Sequence, residues 1–247
     1  MEPSSSPACD SDDARSGAPG RLALAWGVHL LTATGALVGV ASIVAIGQGQ
    51  LRPAVFLMML AFAIDAVDGA LARAAGVSRL LPGFDGRRLD DLVDFLNYAI
   101  VPALFLHASG TLTHGSLVAL PVLASCYGFC QVDAKTEDDF FLGFPSLWNV
   151  IAVYAWGLEI SPIAGTLWIS FFSVMVFVPL KYAYPSKQRV LRRTTVALGL
   201  VWGAAMIGSF ALPDRLAGVP LLEASLIFPI YYFALGFWLG YGPGAGR

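Results

Sequence analysis

From residue 22 onward, the sequence consists of apolar segments about 20 residues long, separated by short polar loops. An α-helix of about 20 apolar residues crosses a hydrocarbon layer about 30 Å thick. The sequence does not alternate apolar and polar residues over ten-residue blocks, as the strands of a membrane β-barrel do. We therefore predict an all-α, polytopic membrane helix bundle of about eight transmembrane helices. The predicted spans lie near residues 22–47, 53–73, 88–108, 115–133, 145–160, 162–181, 194–212 and 219–241.

The composition agrees with this class and excludes several others. Only 13% of the residues are charged, which is about half the share in an ordinary soluble domain. Aromatic residues make up 12% of the chain, and this argues against a disordered protein. A net charge of −2 gives no support for nucleic-acid binding. Three cysteines are too few for a disulfide framework.

Residues 1–20 differ from the rest, because they contain no leucine, isoleucine, valine, phenylalanine or tryptophan. Such a segment cannot bury a core, so we predict a disordered tail at 1–20 and one membrane domain at 21–247. The first apolar segment is longer than the hydrophobic region of a secretory signal peptide and is expected to remain as a span.

The distribution of basic residues predicts the orientation of the chain. If the amino terminus is cytoplasmic, all of the 15 lysines and arginines except Arg52 and Arg215 fall on the cytoplasmic side. This asymmetry follows the positive-inside rule. Both termini and the loops at 74–87, 134–144 and 182–193 are then expected in the cytoplasm, where an active site for water-soluble substrates would open.

Two pairs of aspartates lie inside apolar segments. Asp65 and Asp68 are three residues apart, and Asp90 and Asp94 are four apart, so each pair shares one helix face. Both pairs lie within about 12 Å of the cytoplasmic ends of their spans, at 1.5 Å per residue. Because the second and third spans run in opposite directions, the four carboxylates are expected to meet at one depth. Asp91 points about 100° away from Asp90 and is not expected at that point.

Four carboxylates at one depth in a membrane repel one another and are costly to bury. Divalent cations remove both problems, and an all-oxygen site favours Mg²⁺ or Mn²⁺, which we expect as two ions. The alternative is that some of these aspartates only pair with neighbouring arginines. An ion-coupled transporter would also place carboxylates in a membrane, but the sequence shows no internal repeat.

The aspartates belong to a longer pattern, Asp65-x2-Asp68-Gly69-x2-Ala72-Arg73 followed by Gly86-x3-Asp90-x3-Asp94. This pattern resembles the signature of the CDP-alcohol phosphotransferase family. The usual family gap between the arginine and the second glycine is eight residues, whereas here residues 74–85 make twelve. The longer gap resembles the bacterial phosphatidylcholine synthases of that family. Two further segments of this chain, at residues 28–33 and 135–149, also resemble those synthases.

The resemblance implies an enzyme that transfers the phosphatidyl group of CDP-diacylglycerol to choline and releases CMP. It implies Asp65, Asp68 and Asp90 as metal ligands, and Asp94 as a further ligand or as the general base. The implied nucleotide-binding residues are Asp65, Gly69, Ala72, Arg73, Gly86, Thr32 and His29. Another acceptor, such as serine or glycerol phosphate, remains open, because the choice of head group depends on the resemblance alone.

The remaining expectations concern the substrates and the assembly. A quaternary ammonium is usually held over aromatic faces. Four aromatic residues are candidates for holding choline: Tyr98, Tyr127, Phe144 and Trp148. Three basic residues are candidates for binding lipid phosphate: Lys135, Lys181 and Arg192. The resemblance further implies a homodimer in a bacterial inner membrane.

Overall fold

The computed structural model describes residues 18–132, 140–183, 191–212 and 219–242, and most of these residues are helical. The helices are α1 (Ala18–Gly47), α2 (Leu51–Ala75), α3 (Val77–Leu80), α4 (Gly86–Phe95), α5 (Val101–Ala108), α6 (Ala119–Cys130), α7 (Trp148–Gly157), α8 (Pro162–Met175), α9 (Arg192–Ala211), α10 (Leu221–Ser225) and α11 (Ile227–Tyr241). A π-helical turn (Leu96–Ile100) joins α4 to α5, and a 3₁₀ turn (Gly115–Val118) precedes α6. Because α1 begins at Ala18, the predicted boundary of the tail at residue 20 falls inside this helix.

Within the described residues, four helical stretches are long and apolar enough to cross a membrane. They are Pro19–Gly47, Leu51–Ala75, Arg192–Ala211 and Leu221–Tyr241. A helical membrane protein therefore fits the structure. The predicted number of about eight spans stays a prediction, because the other apolar segments form shorter helices.

Helix α7 shows why the number of membrane spans cannot be determined from hydropathy alone. It has ten residues, and seven of them are buried, from Trp148 to Ala155. At 1.5 Å per residue, its length is about half the thickness of the hydrocarbon layer. Most of its apolar side chains pack in the main hydrophobic core, which also contains residues of α5 and α9. Its apolar composition therefore reflects burial inside the bundle.

A pair of short strands departs from the all-α prediction. Strands β1 (Phe140–Leu142) and β2 (Lys181–Ala183) form a two-stranded antiparallel sheet, in which Phe141 lies opposite Tyr182. The backbone N–H of Lys181 donates a hydrogen bond of 2.8 Å to the hydroxyl of Tyr241 on α11. The sheet thus joins the segments before α7 and after α8 to the last helix.

Two glycines of α1 allow the helix that carries Asp90 to approach closely. A Cβ on Gly35 would lie 2.9 Å from a methyl of Val93, and a Cβ on Gly39 would lie 2.6 Å from Oδ1 of Asn97. Asn97 also donates a hydrogen bond of 3.0 Å to the carbonyl of Gly35. Small residues four apart on one face therefore hold α1 against the third apolar segment.

The π-helical turn lies directly after the second pair of aspartates. Its last hydrogen bond runs from the N–H of Val101 to the carbonyl of Leu96, five residues earlier. Pro102 follows in α5 and has no N–H for the carbonyl of Tyr98, so a regular α-helical bond is missing at this point. A π-helical turn is rare and is often found at functional sites.

Candidate functional site

Three of the four predicted carboxylates come together. One carboxylate oxygen from each of Asp65, Asp68 and Asp90 lies within 4.8 Å of the others. Asp65 and Asp68 are on α2, and Asp90 is on α4. Asp68 is only 5% exposed, and the other two side chains are half-buried. The convergence that was expected from residue spacing and depth therefore holds for these three residues.

Two hydroxyl groups orient this cluster. Oγ1 of Thr32 donates a hydrogen bond of 2.7 Å to Oδ2 of Asp68. The hydroxyl of Tyr98 donates a hydrogen bond of 2.6 Å to Oδ2 of Asp65. Both donors are buried, with 7% of each side chain exposed. Hydrogen bonds of this kind fix the orientation of a ligating carboxylate.

The donor set fits a hard divalent cation. Carboxylate oxygens are the ligands that Mg²⁺ and Mn²⁺ prefer. Around an octahedral ion with bonds of about 2.0–2.1 Å, ligand oxygens lie roughly 3–4 Å apart. The separations among Asp65, Asp68 and Asp90, within 4.8 Å, are close to this range. The three residues can therefore hold a metal ion after small side-chain adjustments.

Asp94 is not a member of the three-carboxylate group. It lies four residues after Asp90 on α4, and its side chain is half-buried. It is therefore one helical turn from Asp90, on the helix that brings Asp90 to the site.

The other residues of the α2 pattern lie along its last turns. The guanidinium of Arg73 lies near Gly69, where an added Cβ would be 3.4 Å from Nη1. Ala72 is half-buried and packs against a small cluster that includes Ala25 and Val28 of α1. A small residue at position 72 therefore also serves helix packing, beside the nucleotide contact that the resemblance implies.

His29 and Gly86 lie in direct contact. A Cβ added to Gly86 would collide with the imidazole ring of His29. Gly86 is the first residue of α4, and its neighbour Asp85 accepts a hydrogen bond from the N–H of Arg88 as the N-cap. The absence of a side chain at position 86 therefore lets α1 pack closely against the start of the helix that carries Asp90.

Tyr98 is joined by two aromatic residues that were not predicted. The ring of Phe62 lies 6.2 Å from that of Tyr98, and the ring of Trp202 lies 5.6 Å from that of Phe62, with both pairs edge to face. Phe62 precedes Asp65 by three residues and shares its helix face. This spacing was visible in the sequence, whereas nothing local to Trp202 indicates where α9 packs.

The other aromatic candidates lie elsewhere. Trp148 is fully buried, and its Nε1 donates a hydrogen bond of 2.8 Å to Ser125. Phe144 is 3% exposed and packs against the Trp148 ring at 5.4 Å. Tyr127 is 44% exposed and packs against Phe177 at 4.7 Å. The structure gives these three rings local packing partners of their own.

The basic candidates are also dispersed. Lys135 lies outside the described residues. The ammonium of Lys181 lies 5.2 Å from the centroid of the Phe140 ring, in a cation–π contact within the sheet. Arg192 is exposed and is the first residue of α9. The structure therefore places the two described residues on different elements.

Curated relatives share most of this chain. It is 43% identical over 176 residues to a phosphatidylcholine synthase of Legionella pneumophila, an alignment that covers 70% of this chain and 69% of the relative. It is 33% identical over 214 residues to a phosphatidylcholine synthase of Borreliella burgdorferi, covering 85% and 91% of the two chains. A phosphatidylcholine synthase of Pseudomonas aeruginosa is 33% identical over 183 residues, covering 73% and 77%. No family model matches the chain.

Proposed function

The chain belongs to the phosphatidylcholine synthase family, and we propose that it transfers the phosphatidyl group of CDP-diacylglycerol to choline. The observation that carries this proposal is the cluster of Asp65, Asp68 and Asp90, whose carboxylate oxygens lie within 4.8 Å of one another. Phosphoryl transfer depends mainly on positioning and on neutralising charge, and a cluster of this composition can provide both through bound cations.

Asp65, Asp68 and Asp90 would hold Mn²⁺ or Mg²⁺, two ions in the full site. The ions would supply charge neutralisation at the pyrophosphate and at the oxygens of the transferred phosphoryl group. Thr32 and Tyr98 keep Asp68 and Asp65 in a fixed orientation through their hydrogen bonds. The carboxylates are therefore prepared for binding before the substrate arrives.

In the proposed reaction, Asp94 accepts the proton of the choline hydroxyl. The hydroxyl oxygen forms a bond to the phosphorus that carries diacylglycerol, the bond from this phosphorus to the oxygen of the CMP phosphate breaks, and CMP leaves. An alcohol is a weak nucleophile while it is protonated, so a positioned base is needed. Asp94 suits this task because it lies one helical turn after Asp90 on α4 and is not one of the three grouped carboxylates.

The acceptor would bind on the Tyr98 side of the carboxylates. A trimethylammonium group cannot donate a hydrogen bond and is attracted to aromatic faces. Tyr98 contacts Asp65 directly, and Phe62 and Trp202 continue the aromatic wall from it. Among the four predicted aromatic candidates, Tyr98 is therefore the one that we assign to choline.

We further propose that the donor's nucleotide lies along the last turns of α2. Gly69 would allow a close approach to the helix backbone, Ala72 would leave room beside it, and Arg73 would face a phosphate. Lys181 and Arg192 would contact lipid phosphates. The chain would lie in a bacterial inner membrane as a homodimer, with its termini and this site on the cytoplasmic side, as the basic loops predict.

The direct test is turnover by the purified protein in detergent with CDP-diacylglycerol, Mn²⁺ and a panel of acceptors. We expect CMP and phosphatidylcholine in equal amounts with choline. CMP release with serine or glycerol phosphate, and none with choline, would assign a different acceptor. Movement of choline into liposomes without CMP release would indicate a transporter and would contradict the proposal.

A further inference from the structure

Three rings lie together where α1 meets the loop before α4. The centroid of the Phe84 ring lies 4.5 Å from that of His29 and 5.2 Å from that of Trp26. The rings of Trp26 and His29 are 6.0 Å apart. Trp26 is 48% exposed and Phe84 is 38% exposed. This group, which we call the Trp26 cluster, therefore presents accessible aromatic surface beside an imidazole.

The imidazole is the unusual member of the Trp26 cluster. His29 is only 7% exposed, and its buried Nε2 has no hydrogen-bond partner among the described residues. A buried polar atom without a partner costs free energy, and most such atoms in proteins are paired. Packing against Gly86 holds the ring in place. Nε2 is therefore suited to meet a polar group from a ligand.

The cluster lies about one helical turn from the carboxylates along two helices. His29 precedes Thr32 by three residues on α1, and the hydroxyl of Thr32 bonds to Asp68. Gly86 precedes Asp90 by four residues on α4. One turn corresponds to about 5.4 Å. In a nucleoside diphosphate, a single ribose separates the phosphates from the base, so a base can reach the cluster from phosphates at the carboxylates.

Exposed aromatic residues near a membrane surface have a simpler explanation, because tryptophan is common at that depth. That explanation covers Trp26. It gives no reason why the buried Nε2 of His29 lacks a hydrogen-bond partner in the part of the chain that the structure describes. It also gives no reason for Phe84, which lies in the segment between α3 and α4 and packs on His29. A ligand with a flat face and a polar edge accounts for all three rings.

We propose that the Trp26 cluster binds the pyrimidine base of the nucleotide substrate, with Phe84 against its face and Nε2 of His29 hydrogen-bonded to its edge. Base–aromatic stacking is a substantial and sequence-tolerant source of affinity. The inference rests on the proposed function, since it requires a nucleoside diphosphate whose phosphates lie at the carboxylates. The extra length of the loop thereby acquires a role in substrate binding.

The test compares two inhibitors of CMP release, one with a base and one without. Wild-type turnover is measured first, so a failure of the proposed function is recognised before any variant is tested. In Phe84→Leu, the inhibition constant of CMP should rise roughly tenfold through loss of the aromatic face. The inhibition constant of inorganic pyrophosphate should stay the same. Phe171→Leu, which changes another exposed phenylalanine on α8, should alter neither constant.

A second variant tests the edge of the base. His29→Leu should change the ratio between the inhibition constants of CMP and UMP, because these nucleotides differ at the edge of the ring. Phe84→Leu should weaken both nucleotides alike. Thermal unfolding in detergent checks that each variant is folded. An unchanged CMP constant in Phe84→Leu, an equal rise for CMP and pyrophosphate, or an unchanged CMP-to-UMP ratio in His29→Leu would overturn the proposal.

Discussion

Replacing Tyr98 with phenylalanine removes one hydroxyl from the site and leaves the aromatic ring in place. In the native protein, that hydroxyl donates a hydrogen bond of 2.6 Å to Oδ2 of Asp65. The distance lies in the range typical of a hydroxyl bonded to an ionised carboxylate. Because Tyr98 is only 7% exposed, water has little access to replace the lost donor. We therefore expect the variant to bind its metal more weakly.

The size of this effect can be estimated in two ways. A hydrogen bond to a charged group contributes about 1.5–3 kcal/mol. Loss of a hydrogen bond to a metal ligand usually reduces metal affinity or activity by about 10–100-fold. Since 1.4 kcal/mol corresponds to a factor of ten, the two ranges agree. The expected rise in the Mn²⁺ concentration for half-maximal activity is therefore about 10–100-fold.

The assay measures CMP release by the purified protein over a range of Mn²⁺ concentrations, with both substrates saturating. At saturating Mn²⁺, the KM for choline should stay the same in Tyr98→Phe, because the ring is retained. Tyr154→Phe is the matched control, since Tyr154 is 3% exposed and its hydroxyl bonds to Ser225 at 2.7 Å. This control should not change the Mn²⁺ dependence.

Three results would refute the reasoning about Tyr98. An unchanged Mn²⁺ dependence in Tyr98→Phe would mean that Asp65 does not need this hydroxyl in the active enzyme. A raised KM for choline with normal Mn²⁺ dependence would place the hydroxyl in acceptor binding instead. An equal effect in Tyr154→Phe would trace the change to a general loss of packing.

Further outcomes test the rest of the site. Asp68→Asn should remove most CMP release, while Asp91→Asn should be mild; equal losses would contradict the assigned helix face. Thr32→Val should raise the Mn²⁺ requirement about tenfold, as its hydroxyl orients Asp68, and normal titration would contradict that role. Gly86→Ala should lower the free energy of unfolding in detergent by about 1–3 kcal/mol, because the methyl group of the new alanine would collide with the ring of His29. EDTA should stop turnover and added Mn²⁺ should restore it; full turnover after verified metal removal would refute a metal mechanism.

Helical periodicity was sufficient to predict the carboxylate cluster. Spacings of three and four residues on two antiparallel segments bring Asp65, Asp68 and Asp90 together, and the structure confirms their proximity. Asp94 fitted the same spacing but is not in the group. Residue spacing places a side chain on a helix face, whereas small differences in helix crossing and side-chain rotamer decide which oxygen atoms meet.

The aromatic surroundings could be predicted only in part. The sequence offers Tyr98 as one of four aromatic candidates, but the hydrogen bond from Tyr98 to Asp65 depends on how α2 packs against the third segment. Trp202 is more than 100 residues away in sequence and reaches Phe62 only through the packing of α9. For the same reason, hydropathy could not distinguish the buried helix α7 from a segment that faces lipid.

The π-helical turn at Leu96–Ile100 has a consequence for insertions and deletions in this family. A π-helical turn accommodates about one residue more than an α-helical turn, so removing one residue there can restore a regular helix. The flanking helices would keep their orientations, with Asp90 still at the site and Phe105 still in the core. Only side chains inside the turn, Tyr98 among them, would rotate to new positions. This turn is therefore a place where the length of the chain can change the site without changing the fold.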